Sequence, residues 1–136
     1  MTTANEFRSL NVMRDDHRRF EDLFETVLSQ IDTENKAIAD EGWATLERTL
    51  VSHIEYEERE VFPRFASSDR ATVEALIAEH ERFRTLLGEM GVAVELGALP
   101  EASAKEFFDL LRSHAAREDG AFARWFDDSA AAHPAH

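Results

Sequence analysis

The chain has 136 residues, no cysteine, and 28 acidic against 15 basic side chains, for a formal net charge of −13. One domain is expected at this length. The lack of thiols excludes disulfides, cysteine zinc sites and iron–sulfur clusters, so any metal must be held through nitrogen and oxygen. So large an acidic excess repels a phosphate backbone and concentrates cations, and no nucleic-acid partner is expected.

Residues 1–10 read as a lead-in. From about Asn11 the apolar and ligand-type residues step by three or four, the period of a helix buried on one face. The first such run is Met13, His17, Phe20, Phe24, Val27, Ile31, closed by the polar residues 32–35. The second is Trp43, Leu46, Leu50, His53, Glu57, Val61, with Gly42 blurring its start. Pro63 is expected to end it, and the Ser67-Ser68-Asp69 stretch offers an N-cap for the next helix. The third run is Val73, Leu76, His80, Phe83, Leu87, Met90, Val94, followed by a break from 97 to 100. Pro100 suits a first helical position. The fourth is Phe107, Leu111, His114, Glu118, Ala121, Trp125. Periodicity spans 11–126, and residues 127–136 read as a frayed tail.

Narrow apolar seams and short connections predict an all-α fold, an antiparallel up-down four-helix bundle. No apolar run approaches the roughly 20 residues of a membrane span. The opening MTTANEFRSL lacks a basic-then-apolar signal pattern. No membrane partner is expected, and a cytoplasmic location is.

The sequence also repeats itself. Asp16-His17-Arg18-Arg19-Phe20 is echoed by Glu79-His80-Glu81-Arg82-Phe83, and the His53/Glu57 pair by His114/Glu118. Each half is a helical hairpin with a lone histidine on one helix and an H-x-x-x-E pair on the other. Residues four apart share a helix face, so His53 and Glu57 aim at one point, as do His114 and Glu118. All six residues fall on the inward seams. Without a cation, two buried carboxylates and four imidazoles would cost more than ~10 kcal/mol, as much as an ordinary domain's whole stability. Internal His–Glu pairing offsets part of this, and divalent metal offsets more. Imidazole with carboxylate suits iron, zinc or manganese. Six ligands are too many for one tetrahedral ion and fit two ions bridged by Glu57 and Glu118, with a bridging oxygen and one open position on each.

The blocks DHRRFEDLF, HIEYEEREVFP, EHERFRTLL and HAAREDGAF resemble the hemerythrin-like, or HHE cation-binding, family from about Asn11 to Phe126. The resemblance implies a four-helix bundle and a non-haem di-iron site, oxo- or hydroxo-bridged, that deals with dioxygen, iron or related small oxidants. Carried over by position, the metal ligands are His17, His53, Glu57, His80, His114 and Glu118. Oxygen-carrying members have a second histidine where Arg84 stands here, and an aspartate at the Asp119 position. This chain is closer to the symmetric four-His, two-Glu pattern.

Other residues read more plainly. Glu21 completes a third H-x-x-x-E, but its repeat partner is Arg84, and a surface role fits it better than ligation. Glu58 and Glu60 read as an exposed charged face. Asp16 and Glu79 either orient ligands or are solvated. Tyr56 either donates into the site or packs at its rim. Phe20, Phe24, Phe83 and Trp125 read as core. His133 and His136 are too near the end to count as ligands. No acid–base residue beyond the ligands stands out, which favours a binding protein. An oxidoreductase acting on peroxide, nitric oxide or ferrous iron is the alternative, and a structural metal in a partner-binding bundle is a third.

Overall fold

The computed structural model describes the backbone of residues 4–31 and 35–132 and the side chains of 11–31 and 35–126. Residues 32–34 of the expected polar connection, and His133 and His136, lie outside the described residues. Helix α1 runs Ala4–Ile31 and α2 runs Lys36–Tyr56. A π-helical turn, Glu57–Val61, leads on into the short α3, Phe62–Phe65. Then come α4, Arg70–Glu95, and α5, Glu101–Ala132. There is no strand among the described residues.

Helix α1 packs on α2 and α5, and α4 also packs on α2 and α5, which closes a four-helix bundle. Side-chain pairs set its register. Along α1, His17 meets Glu118 and Glu21 meets Arg112. Phe24 stacks on Phe108. Rising numbers meet falling ones, so α1 and α5 are antiparallel. His80 with Glu57 and Gly91 beside Trp43 give the same sense for α4 against α2. The expected antiparallel bundle is thus present.

The ends follow local chemistry. Asn35 caps α2, its side-chain oxygen accepting from the Ile38 N–H at 3.3 Å. This places Gly42 inside α2, where a Cβ would run into the Gln30 side chain of α1; glycine permits the close approach. Gly97 ends α4 with φ of 65°. Its N–H reaches the Val94 carbonyl and that of Ala98 reaches Ala93, the paired bonds of a Schellman ending. Pro100 falls one place earlier than expected, just before α5, and its carbonyl accepts from Ser103 and Ala104. Asp69 leads into α4, and its carboxylate takes the Trp125 indole N–H at 2.8 Å and Arg124 at 2.9 Å from α5.

Pro63 does not end the second helix. The helix passes through it by widening: the Phe62 N–H bonds to the carbonyl of Glu57, five residues back. Proline brings no N–H and crowds the carbonyl four residues before it. A wider turn just upstream relieves that crowding, and such π turns recur at functional sites. The same turn starts at Glu57, so the bulge sets where this carboxylate points. Helix α5 continues six residues beyond the periodic pattern, to Ala132.

Two apolar clusters fill the interior. One is built around Phe24, Leu46, Leu87 and Phe108. The other is built around Met13, Phe62, Phe122 and Trp125. Burying each large apolar side chain contributes about 1.5–3 kcal/mol. A polar belt separates the clusters: His53, Glu57, His80, His114 and Glu118 are the buried polar and charged residues among those described. Among the described residues no helix is long and apolar enough to cross a membrane.

Candidate metal centre

The belt joins all four long helices. His17 comes from α1, His53 from α2, and Glu57 from the turn that extends it. His80 comes from α4, and His114 and Glu118 from α5. Glu57, His80 and Glu118 are fully buried, and His17 is the least buried of the six at 10% side-chain exposure.

The two carboxylates divide their oxygens between two histidine pairs. Glu118 turns Oε1 to His17 Nε2 at 3.2 Å and Oε2 to His114 and His80 at 3.1 and 3.3 Å. Glu57 turns Oε2 to His53 Nε2 at 3.3 Å and Oε1 to His80 Nε2 at 3.2 Å. The histidines pair accordingly, with ring centres 5.1 Å apart for His17 and His53 and 4.8 Å for His80 and His114. Two clusters of donor atoms result, His17/His53/Glu57/Glu118 and His80/His114/Glu57/Glu118, each with all its donors within 4.8 Å of one another. Both carboxylates belong to both clusters.

All four histidines are oriented the same way. Each Nδ1 faces a carboxylate oxygen: His17 faces Asp119 at 2.9 Å, His53 faces Asp16 at 2.9 Å, His80 faces Glu58 at 2.8 Å and His114 faces Glu79 at 2.8 Å. An ionised carboxylate only accepts, so each Nδ1 donates, and each Nε2 is left to present a lone pair inward. Three of these carboxylates are held in turn by arginine. Arg84 grips Glu58 through both its terminal nitrogens at 2.7 and 3.1 Å. Arg117 pairs with Glu79 and Arg19 with Asp16.

Donor atoms so arranged want cations. Glu57 Oε1 and Oε2, Glu118 Oε1 and His53 Nε2 are buried and make no hydrogen bond of acceptable geometry. They nonetheless lie 3.2–3.3 Å from their neighbours across the belt. Bonds of about 2.1 Å to one ion put adjacent donors about 3.0 Å apart at right angles and about 3.4 Å apart at tetrahedral angles. The spacings in the belt fall in that interval, and the residues therefore fit divalent metal.

In the metal-free protein, protons must take the cation's place. Burial opposes charge on His17, but Asp119 and Glu118 outweigh it and raise its pKa to about 9. His80 is likewise raised to about 9, against burial, by Glu118 and Glu57. The carboxylates separate. Burial and the neighbouring Glu118 charge push Glu57 well above the usual carboxylate range. Burial acts on Glu118 too, but His114, His17 and His80 hold it well below.

One side of the belt is closed, with Phe62 stacked on His80 at 5.4 Å. On the other lies a cavity of about 30 Å³. It is bounded by His17, His53, His114, Glu57 and Glu118, by Glu21 and Arg112, and by apolar side chains including Phe20, Phe24, Leu50, Ile54, Phe83 and Leu111.

The profile of the hemerythrin HHE cation binding domain matches residues 8–126. The chain belongs to this family. No characterised protein and no solved structure gave a match. Cation binding is thus the family's property, and the hemerythrin-like bundle here has the nitrogen and oxygen donors for it.

The sequence-predicted site residues all meet in the belt, and of the residues around it Glu58 departs from expectation. Glu58 is not part of a merely exposed face, since it holds His80; Glu60, one turn position on, is exposed and pairs with Arg59. Asp16 and Glu79 are orienting residues, and Asp119 joins them. Glu21 lies outside both donor clusters and pairs with Arg112. Tyr56 is half-buried against the Met13 cluster and lines the groove between α1 and α2. Arg84 stands where oxygen carriers have histidine, and here it holds Glu58. The repeat carried a signal for the orienting set. The residue before each lone histidine is acidic (Asp16, Glu79), and so is the residue after each inward glutamate (Glu58, Asp119).

Proposed function

We propose that this is a non-haem di-iron protein of the symmetric four-His, two-Glu kind that binds or senses dioxygen, iron or a related small oxidant. His17 and His53 would hold one ion and His80 and His114 the other, with Glu57 and Glu118 shared between them. The observation that carries this reading is the division of each carboxylate's oxygens between the two histidine pairs, since a single-ion site has no use for it. Bound iron supplies reversible electron transfer and an affinity for small oxygen-containing molecules.

The protein's own groups do the rest. Asp119, Asp16, Glu58 and Glu79 hold each imidazole by its Nδ1 proton, so Nε2 stays free for metal. The cavity sets the size of what can enter. One water needs about 10–15 Å³ of such space, so about 30 Å³ suits a molecule of two or three heavy atoms. Beyond the donor set its walls are apolar except for Glu21 and Arg112, which are tied to each other, so no unpaired acid or base faces a guest. This favours binding over turnover.

Elemental analysis after anaerobic iron loading tests the reading. Two irons per chain are expected, with fewer in His53→Ala. One metal per chain, or two retained in His53→Ala, would overturn it. Air added to the reduced, loaded protein should change its absorbance in a way that vacuum reverses. Steady consumption of oxidant would instead make it an oxidoreductase.

A further inference from the structure

The cavity beside the belt and a groove on the outer surface share four wall residues, His17, Glu21, Arg112 and Ala115. Two of these are joined across the gap between α1 and α5. The Arg112 Nε lies 2.9 Å from both carboxylate oxygens of Glu21. Arg112 Nη1 is held at 2.9 Å by Asp109, one turn back along α5. Its guanidinium carbon lies 5.5 Å from the centre of the Phe24 ring, and Phe24 is itself a wall of the inner cavity. A charged, planar group therefore lies where the two spaces meet, fastened at three points.

We propose that the Glu21–Arg112 pair is a gate that sets how fast small molecules pass between solvent and the cavity. The inference rests on the reading of the cavity as ligand space. The pair is built to move. Its side chains are 51% and 39% exposed, so releasing them uncovers little core. Surface ion pairs of this kind are weak enough to open thermally.

The internal repeat shows that the pair is peculiar to this side of the bundle. The position equivalent to Arg112 is Val51, which packs against the larger apolar cluster. The position equivalent to Glu21 is Arg84, which turns to Glu58. The opposite side of the bundle, between α2 and α4, therefore uses the same two places for packing and for orienting His80. The groove between α1 and α2, which reaches His53 and Asp16, is the rival route.

A gate changes rates without changing affinity, and the test uses that property. Azide binding to the iron-loaded protein, followed by stopped-flow absorbance, is compared between the natural chain, Arg112→Gln and Glu21→Gln. Both association and dissociation should quicken by the same ~5–30-fold in each variant, with Kd unchanged, the scale expected for one surface ion pair and one guanidinium–ring contact. Arg112→Lys, which keeps the charge but loses the planar group that reaches Glu21, Asp109 and Phe24 together, should fall between. A second readout needs no metal: oxygen-17 relaxation dispersion of the metal-free protein gives the residence time of cavity water, which Arg112→Gln should shorten by a similar factor. Loss of iron binding by the natural chain would defeat the functional reading and leave the water measurement to decide on the gate. Unchanged rates and residence times in both variants would send access through the groove between α1 and α2 and overturn the proposal. A changed Kd with unchanged association would make Arg112 a ligand contact, and it too would overturn the gate.

Discussion

The metal-free and metal-loaded proteins should respond to pH in opposite directions. In the metal-free chain the pKa values of His17 and His80 are raised to about 9 from an ordinary 6.5. The folded state therefore holds protons that the unfolded state releases. The stability they contribute is fully present below pH 6.5 and is lost as pH rises through about 9. One residue shifted this far corresponds to about 3 kcal/mol, from 1.36 kcal/mol per unit. Both residues depend on Glu118, so the two together fall between about 3 and 7 kcal/mol. Glu57, raised by burial and by the Glu118 charge, acts with the same sign from lower pH. Metal reverses this, because it binds deprotonated imidazole and displaces those protons. Urea melts followed by circular dichroism at several pH values between 6 and 9.5, with chelator and then with a divalent ion, give both curves. Stability should fall with pH in chelator, and with the ion it should rise towards pH 8. A metal-free protein whose stability is flat or rises between pH 6.5 and 9.5 would refute the claim that protons stand in for cations in the belt.

Three further outcomes are expected. Glu58→Gln should weaken metal binding about 10–100-fold in a competition titration, because His80 loses the negative charge that orients its ring and raises its basicity, whereas Glu60→Gln should change nothing. Glu118→Gln should lower the metal count of both sites at once by elemental analysis, while Glu21→Gln leaves it intact. Leu46→Ala, at a fully buried position in the larger cluster, should lower the unfolding free energy by about 2–5 kcal/mol in urea melts and leave the metal count unchanged.

The four helices and the six belt residues could be read from the chain because both depend on one property, the spacing of side chains along a single helix. A step of three or four puts His53 and Glu57 on one face whatever lies opposite. The orienting carboxylates depend on a different property. Glu58 looks like its exposed neighbour Glu60 on a helical wheel. It reaches His80 only because α2 and α4 pack at one particular rotation and the turn from Glu57 to Val61 is widened. That widening traces to Pro63, which local rules alone turn into a helix end. Continuation was favoured because Phe62 and Phe65 find burial in the smaller cluster when the helix runs on, and tertiary packing outweighed the proline. The same limit applies to Arg112: its surroundings on α5 mark it as an ordinary surface arginine, and only the contact with Glu21 on α1 puts it beside the cavity.

Symmetry at the centre and asymmetry around it therefore have separate causes. The belt is two-fold because two hairpins of one pattern each supply a lone histidine and an H-x-x-x-E pair, and two shared carboxylates need equivalent partners on either side. A fully symmetric shell, however, would be closed or open equally on both faces. The chain breaks the repeat at a few places, with Arg84 opposite Glu21, Val51 opposite Arg112, and Phe62-Pro63 without a counterpart after Phe122. One face is then sealed by Phe62 against His80, and the other keeps a small apolar space behind an ion pair. Donor chemistry fixes what the centre can hold, while these few unpaired substitutions decide from which side, and past which side chains, a second molecule can reach it.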